Sequence, residues 1–286
     1  MDRFKSVKLA SIFGIIGNII LLFIKATIGL VTNSQAMIAD AFNSAGDIFS
    51  SIVTFIGNKI ASKPVDEDHN LGHGKAEYIY SMIISIIMIF TTLIILKDSI
   101  VSIFYREQYN FSIWLVVVCA ITICIKFGLY IYINKISKKL NNLLLKANSN
   151  DHRNDCIITT MNLISCILSY YGIFFVDGIV GTIISTWILI TAVKIFKESY
   201  DVLMDKSINE DTKKKVFEII DKHKEIKYIT HFNSTPVGYR YQISFSIFVD
   251  GNLSTFESHE IADKLEKEIG NSIEEIYLTV IHVNPI

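Results

Sequence analysis

Six apolar stretches, each close to membrane-spanning length, set the main limit on how this chain can fold. A helix needs about 20 apolar residues to cross the hydrocarbon core of a bilayer, and in lipid only helices and closed barrels satisfy all their backbone hydrogen bonds. With 51% hydrophobic residues and a mean hydropathy of +0.41, the sequence is too apolar for an ordinary soluble domain. We therefore predict six transmembrane helices, at residues 9–31, 35–60, 76–104, 111–133, 143–175 and 176–200.

Basic residues in the short loops predict the orientation of these helices, because lysine and arginine accumulate in cytoplasmic loops. The N-terminal arm and the segments 58–75 and 134–146 are basic, and an even number of spans places all three on one side. The loops on the opposite side contain a single basic residue, Arg106. We expect a multi-pass protein of the cell membrane with both termini in the cytoplasm.

After residue 200 the composition changes to a charged pattern without a further stretch long enough to span a bilayer. The spacing of its apolar residues predicts a helix, a strand, a helix and a strand, at residues 210–223, 239–249, 254–269 and 276–283. The predicted fold is therefore a membrane α-helical bundle at residues 1–204, followed by a small C-terminal cytoplasmic α+β domain at residues 205–286.

Two of the predicted spans carry carboxylates, which are costly at the centre of a bilayer and therefore face a bundle interior and mark a function. Asp40, Asn43 and Asp47 follow one another at helical steps in the second span, and Asp151 and Asp155 do so in the fifth. Residues three and four apart share one helix face. If the two helices pack together, one amide oxygen and three carboxylates form an oxygen site for a divalent cation. The four ligands are then Asn43, Asp47, Asp151 and Asp155.

The roles of the residues next to these four ligands have several alternatives. We expect Asp40 to support the ligands, with a proton carrier or a structural partner of Lys25 as the alternatives. His152 follows Asp151 by about 100° around the helix, so we expect it to face a neighbour or water, with a ligand role as the alternative. The carboxylates as a group could instead only satisfy buried polar groups between the helices.

Composition and motifs exclude several classes of function. A net charge of -1 and a pI near 6.7 argue against nucleic acid as a partner. The sequence shows neither a nucleophile paired with a base, nor a phosphate-binding glycine loop, nor an ATP motif. We therefore expect no enzymatic activity and no cofactor, and any energy for transport must come from ion gradients.

Three motifs and the overall layout carry a resemblance to a known family. The motifs are IADAFNSAGDIFSS at residues 38–51, HNLGHGKAE at residues 69–77 and NDHRND at residues 150–155. With its six spans and cytoplasmic tail, the chain resembles the cation diffusion facilitator family over nearly its whole length. The resemblance implies a homodimer that exports divalent metal from the cytoplasm in exchange for protons. It also implies that the second and fifth helices build the site, with ligand positions at Asn43, Asp47, Asp151 and Asp155.

The ligand types indicate manganese as the substrate. Zinc-transporting members of the family typically have histidine and aspartate at these positions, whereas an asparagine with three aspartates is similar to the manganese-exporting branch. Independently, zinc favours imidazole or thiolate, and manganese accepts carboxylate, carbonyl and water ligands. We expect Mn²⁺ as the substrate, with Zn²⁺, Fe²⁺, Co²⁺ or Cd²⁺ as secondary substrates and H⁺ as the counter-ion. The alternatives are a zinc or iron exporter, a membrane-anchored metal sensor without transport, and a passive cation channel.

Two features outside the spans also match positions of the family. The resemblance implies a peripheral metal site in the loop that contains Asp66, His69 and His73, for which a solvated polar loop is the alternative. It further implies a salt bridge between Lys75 and Asp205 that clamps the two domains. Two solvated surface charges are the alternative for this pair.

The tail contains three histidines where some family members place a zinc-binding cluster, at His231, His259 and His282. Phe245 and Asn284 stand where such members have histidine and aspartate. Because two good ligands are missing, we expect a packed, largely metal-free dimerisation domain, with a tail metal site as the alternative.

Overall fold

The computed structural model describes residues 3–31, 35–104, 113–170 and 175–286. This part of the chain forms two compact units, the first comprising Met1–Ser62 with Ala76–Ser199 and the second Lys63–Lys75 with Tyr200–Ile286. The first unit is built from six long helices, α1 Arg3–Val31, α2 Gln35–Ala61, α3 Ala76–Phe104, α4 Ile113–Leu140, α5 Leu143–Tyr170 and α6 Phe175–Leu203. The predicted boundary between residues 204 and 205 stays a prediction.

Three of the six helices contain segments that are long and apolar enough to cross a membrane, among the residues that the structure describes. These segments are Arg3–Ile28, Ala76–Val101 and Val116–Leu140, in α1, α3 and α4. Helices α2 and α5 carry the polar stripes found in the sequence, and they pack directly against each other. The polar faces can therefore be turned away from lipid.

Helix α4 is longer than predicted, because it continues past residue 133 to Leu140. The prediction treated the following lysines as a loop. Lysine is a good helix former, and Lys138 and Lys139 lie in the last turn, where the helix dipole favours positive charge. Only Asn141, with a φ of 45°, and Asn142 separate α4 from α5. Similarly, Phe175 begins α6, although it was predicted to end the fifth span.

Close helix contacts in the first unit depend on glycine. A Cβ atom placed on Gly57 of α2 would lie 2.7 Å from the Cβ and Cγ atoms of Tyr80 on α3. A Cβ atom on Gly181 of α6 would lie 2.6 Å from the Ser99 hydroxyl oxygen on α3. Helix α3 thus approaches α2 and α6 at positions that have no room for a larger residue.

A buried ion pair connects the ends of four helices in the first unit. The Arg3 guanidinium lies 2.7 Å from the Glu77 carboxylate, with side chains only 11% and 5% exposed. Arg3 also donates to the Leu140 carbonyl, and the Leu143 amide donates to the other Glu77 oxygen at 3.0 Å. The contacts join the first turns of α1, α3 and α5 to the last residue of α4. Glu77 therefore satisfies a backbone amide that the start of α5 leaves without a helical partner.

The second unit contains a three-stranded sheet covered by two helices. Its elements are α7 Glu210–Ile220, β1 Tyr228–Val237, β2 Arg240–Val249, α8 Thr255–Ser272 and β3 Ile276–Pro285. The strand order is β1-β2-β3, with β1 antiparallel and β3 parallel to β2. Helix α8 forms the crossover that a parallel pair requires. Its N-terminus is closed by a capping box between Ser254 and Glu257.

The predicted order of elements in this unit was wrong in one respect, because it omitted β1. This strand includes Asn233 and Pro236, residue types that are depleted in strands, so its sequence does not alternate clearly. A register shift between Thr230 and Asn233 further interrupts the pattern. Pairing with the apolar strand β2 outweighs the weak local preference. The strand lies at the sheet edge, where proline is tolerated.

Candidate metal centre

Three carboxylates of α2 and α5 come together in the first unit. One oxygen each from Asp47, Asp151 and Asp155 lies within 4.8 Å of the others. Asp47 is 7% exposed, whereas the two α5 residues are partly accessible. The steps of four residues place both α5 carboxylates on one face, and packing of α5 against α2 brings Asp47 to that face. Such an arrangement of oxygens suits a hard divalent cation.

A lysine from α4 lies directly at this carboxylate cluster. The Lys126 ammonium is 2.6 Å from Asp47 Oδ2 and 2.6 Å from Asp155 Oδ2, and its side chain is 1% exposed. Lys126 was not among the residues predicted from the sequence. The signal that could have found it is the rule used for the carboxylates, since a lysine within an apolar span is as costly as an aspartate. The carboxylates are thus not the only costly residues of the spans.

The other residues predicted around the cation site are described only in part. The side chains of Asn43 and Asp40 lie outside the described residues, so the fourth ligand and the pairing with Lys25 stay predictions. His152 is fully buried, and neither ring nitrogen has a hydrogen-bond partner in the described structure. Its Nε2 atom faces α1, at 3.5 Å from the place a Cβ on Gly14 would take. His152 does not belong to the described carboxylate cluster.

A second cluster of possible ligands lies in the loop of the second unit. The Asp66 carboxylate is 2.9 Å from His69 Nδ1 and 3.3 Å from His73 Nε2. The Pro64 carbonyl lies 3.2 Å from His73 Nδ1, and a carbonyl can only accept, so this nitrogen carries the proton. The Nε2 atom of His73 faces the Asp66 carboxylate, which can accept a hydrogen bond from it when the ring is protonated. The three side chains offer ligand atoms within 4.8 Å of one another.

The charge state of Asp66 favours cation binding in this loop. Partial desolvation raises the pKa of the Asp66 carboxyl, but hydrogen bonds from His69 and the charges of His69 and His73 outweigh it and hold the pKa below its ordinary value. The carboxylate is therefore ionised at neutral pH. The loop is held close to the turn between β1 and β2, since a Cβ on Gly74 would lie 2.7 Å from the Gly238 Cα atom.

The predicted pair of Lys75 and Asp205 is present within the second unit. The ammonium lies 2.7 Å from the carboxylate, and the side chains are 39% and 56% exposed. Asp205 has a φ of 55°, a left-handed conformation at the end of α6. An exposed pair of this kind contributes at most about 1 kcal/mol. Its predicted role as a clamp between domains stays a prediction.

The three tail histidines are spread over the second unit. His231 lies on β1 and His282 on β3, on opposite sides of β2. Strands two places apart in a sheet are about 9 to 10 Å apart. His259 lies on α8, and its side chain is 76% exposed. Among the described residues, neither cluster of possible metal ligands includes these histidines. Phe245 is 3% exposed and packs in the core.

Comparison with protein families identifies both parts of the chain. The family model "Cation efflux transmembrane domain" matches residues 11–204, and the model "Cation efflux protein, cytoplasmic domain" matches residues 208–286. This chain belongs to the cation efflux family. The matches confirm the predicted family and the predicted helical membrane bundle with its small cytoplasmic domain. Cation efflux proteins are transporters of divalent metal ions and, as a family, not enzymes.

Similar members of the cation efflux family extend over nearly the whole chain. An uncharacterised transporter of Methanocaldococcus jannaschii is 31% identical over 277 residues, covering 96% of each chain. The manganese efflux system protein MneP of Bacillus subtilis is 29% identical over 282 residues, which are 96% of this chain and 95% of MneP. The cation-efflux pump FieF of Shewanella oneidensis is 26% identical over 280 residues, which are 98% of this chain and 94% of FieF.

Proposed function

We propose that this cation efflux protein exports Mn²⁺ from the cytoplasm in exchange for protons. The observation that carries the proposal is the convergence of Asp47, Asp151 and Asp155 within 4.8 Å. The cluster supplies carboxylate oxygens only, a ligand set that Mn²⁺ accepts and that lacks the imidazole or thiolate favoured by Zn²⁺. Asn43, four residues before Asp47 on α2, is the proposed fourth ligand. The similarity to a protein named for manganese efflux supports the choice of metal.

The proposed transport cycle alternates access to one site. The ion enters from the cytoplasm, exchanges part of its water shell for the carboxylates, and is released on the other side after the helices rearrange. Protons compete with the metal for the same oxygens, so proton binding promotes metal release. An inward proton gradient then drives export.

The assembly and surroundings of the carrier are also part of the proposal. We propose a homodimer held in part by the cytoplasmic domain, in the cell membrane, with both termini in the cytoplasm. The loop of Asp66, His69 and His73 is a proposed peripheral metal site, and the tail domain is proposed to work without bound metal. Lys75 and Asp205 are proposed to limit the movement between the domains.

Proteoliposome transport tests the proposal. Purified protein in vesicles should accumulate Mn²⁺ against its gradient when the lumen is acidic, because protons leaving the lumen drive the metal in, and a protonophore should abolish this uptake. Parallel measurements with Zn²⁺, Fe²⁺, Co²⁺ and Cd²⁺ rank the substrates. Binding without flux would instead indicate a metal sensor, and downhill flux that ignores the protonophore would indicate a channel. A higher rate for Zn²⁺ than for Mn²⁺ would contradict the manganese assignment.

Substitution of Asn43 tests the argument about ligand chemistry. The variant Asn43→His should move the preference of the transporter toward Zn²⁺ by about tenfold or more, because imidazole is a ligand that Zn²⁺ favours. Competition between the two metals in the vesicle assay measures the ratio. The control Asn43→Gln keeps an amide oxygen and should retain the preference for Mn²⁺. An unchanged ranking in Asn43→His would show that this position does not choose the metal.

A further inference from the structure

The ammonium of Lys126 lies between two of the three described carboxylates. It lies 2.6 Å from an oxygen of Asp47 and 2.6 Å from an oxygen of Asp155. A divalent cation bound to carboxylates lies about 2.0 to 2.6 Å from each oxygen. The ion and the ammonium therefore cannot both occupy the gap between these two residues. Their positive charges would also repel each other strongly at that distance.

We propose that Lys126 is a tethered internal cation of the transport cycle. Its ammonium neutralises and holds Asp47 and Asp155 while the carrier is empty, and it moves away when a divalent metal ion binds. The inference rests on the proposed function and deepens it, because it adds a residue of α4 to a site built from α2 and α5. Lys126 acts through competition for the carboxylates and does not bind the metal.

The structure contains a polar group that can receive the displaced ammonium. Thr122 lies one turn before Lys126 on α4, and lysine side chains on a helix lean toward its N-terminus. The Thr122 hydroxyl is buried and has no hydrogen-bond partner in the described part of the chain. A hydroxyl oxygen can accept a hydrogen bond from an ammonium. Movement of Lys126 from the carboxylates to Thr122 would therefore give the hydroxyl its missing partner and leave the ammonium one hydrogen bond.

Competition with the Lys126 ammonium makes the site select divalent over monovalent cations. The ammonium is held next to the carboxylates at a high effective concentration, so a free monovalent ion gains little by replacing it. A divalent ion interacts with the same carboxylates about twice as strongly and can displace it. Lys126 thus excludes Na⁺ and K⁺ at the cost of weaker metal binding.

The same contact supports the return of the empty carrier. Asp47 and Asp155 are largely buried, and a buried carboxylate without a partner is costly. With Lys126 bound to these two carboxylates, the site can change its access without burying their unpaired charge, and the exchanged protons are carried outside this pair. The ammonium therefore speeds the step in which no metal is carried.

Equilibrium binding of Mn²⁺ to the purified full-length protein tests the competition. At one fixed pH, Lys126→Met should bind Mn²⁺ about tenfold or more tightly than the wild type, because the metal no longer has to displace an ion pair. Replacing N-methylglucamine by Na⁺ or K⁺ at constant ionic strength should weaken Mn²⁺ binding in Lys126→Met and not in the wild type. The control Lys194→Met changes an exposed lysine of α6 and should behave as the wild type.

Comparison of net uptake with exchange distinguishes competition by Lys126 from a merely structural role of this residue. Net uptake of Mn²⁺ into proteoliposomes requires the return of the empty carrier, whereas exchange of external Mn²⁺ for internal ⁵⁴Mn²⁺ does not. Lys126→Met should slow net uptake about tenfold or more and keep exchange within about threefold of the wild type. A loss of both modes, or Mn²⁺ binding that is unchanged or weaker in Lys126→Met, would overturn the proposal.

A mild second variant leaves the ion pairs intact. Thr122→Val removes only the receiving hydroxyl, so Mn²⁺ binding should weaken about threefold in the wild-type background and not at all in Lys126→Met. Equal effects in both backgrounds would overturn the assignment of Thr122. Wild-type protein that binds no divalent cation would overturn the proposed function together with this inference. Wild-type protein that binds Zn²⁺ and not Mn²⁺ would overturn only the choice of metal, and Lys126 is then judged with Zn²⁺ by the same criteria.

Discussion

Replacement of Asp155 by alanine is expected to abolish proton-driven uptake of Mn²⁺ into proteoliposomes. The variant loses an oxygen that lies within 4.8 Å of the oxygens of Asp47 and Asp151, and Lys126 keeps one of its two carboxylate partners. Loss of a residue that only supports a metal ligand already costs about 10 to 100-fold in affinity or activity. We expect the loss of a ligand to exceed 100-fold, in both Mn²⁺ binding and uphill flux.

The matched control is Asp98→Ala, which removes an exposed aspartate from the membrane helix α3 and should leave transport unchanged. The double variant Asp155→Ala with Lys126→Met separates two roles of Asp155. If Asp155 served only to neutralise Lys126, removal of both charges would restore transport. If Asp155 binds the metal, as we propose, the double variant stays inactive. Full transport by Asp155→Ala alone would rule out the carboxylate site.

The second large effect concerns stability. Replacement of Glu77 by alanine is expected to destabilise the protein by about 3 to 5 kcal/mol, the usual cost of removing one partner of a buried ion pair. The Arg3 guanidinium would remain buried without its carboxylate, and the Leu143 amide would lose its acceptor. The free energy of unfolding, measured by chemical denaturation of the purified protein in detergent, tests the prediction. Glu266→Ala, at an exposed position of α8, is the matched control.

A charge-free replacement of the pair checks the cause of this destabilisation. Arg3→Met combined with Glu77→Leu removes both buried charges and should be more stable than Glu77→Ala alone, because no unpaired charge remains. If the double variant is as unstable as the sum of the single variants, the ion pair is not what stabilises this end of the bundle. If Glu77→Ala lowers the free energy of unfolding by less than about 1 kcal/mol, the Arg3–Glu77 pair contributes no more than an exposed salt bridge.

Much of the fold was predictable because the relevant signals are local. Spanning length and apolar composition indicated the helices, and the four-residue step of Asp151 and Asp155 indicated a shared face. Strand β1 was not predictable in this way, because its sequence has a weak strand preference and the strand depends on pairing with β2. The length of α4 was underestimated for a related reason, since its lysines were assigned to a loop.

The carboxylate cluster also has one part that the sequence predicts and one part that depends on tertiary packing. The sequence pointed to Asp47, Asp151 and Asp155 because charge within an apolar span is rare and costly. It contained the same signal at Lys126, but which helix face that lysine occupies could not be read from α4 alone. The contact joins Lys126 to Asp47 across 79 positions of the chain. Whether residues so far apart in the sequence come into contact depends on how α2, α4 and α5 pack.

From its sequence alone, then, this protein is a helical membrane bundle with a carboxylate stripe on two helices and a small α+β tail, because bilayer thickness and helical period act on neighbouring residues. The tertiary structure decided which groups meet. It placed a lysine between two of the carboxylates and set His231 and His282 on opposite sides of β2. Those outcomes depend on packing between distant segments, and the order of residues along the chain does not specify distances between them.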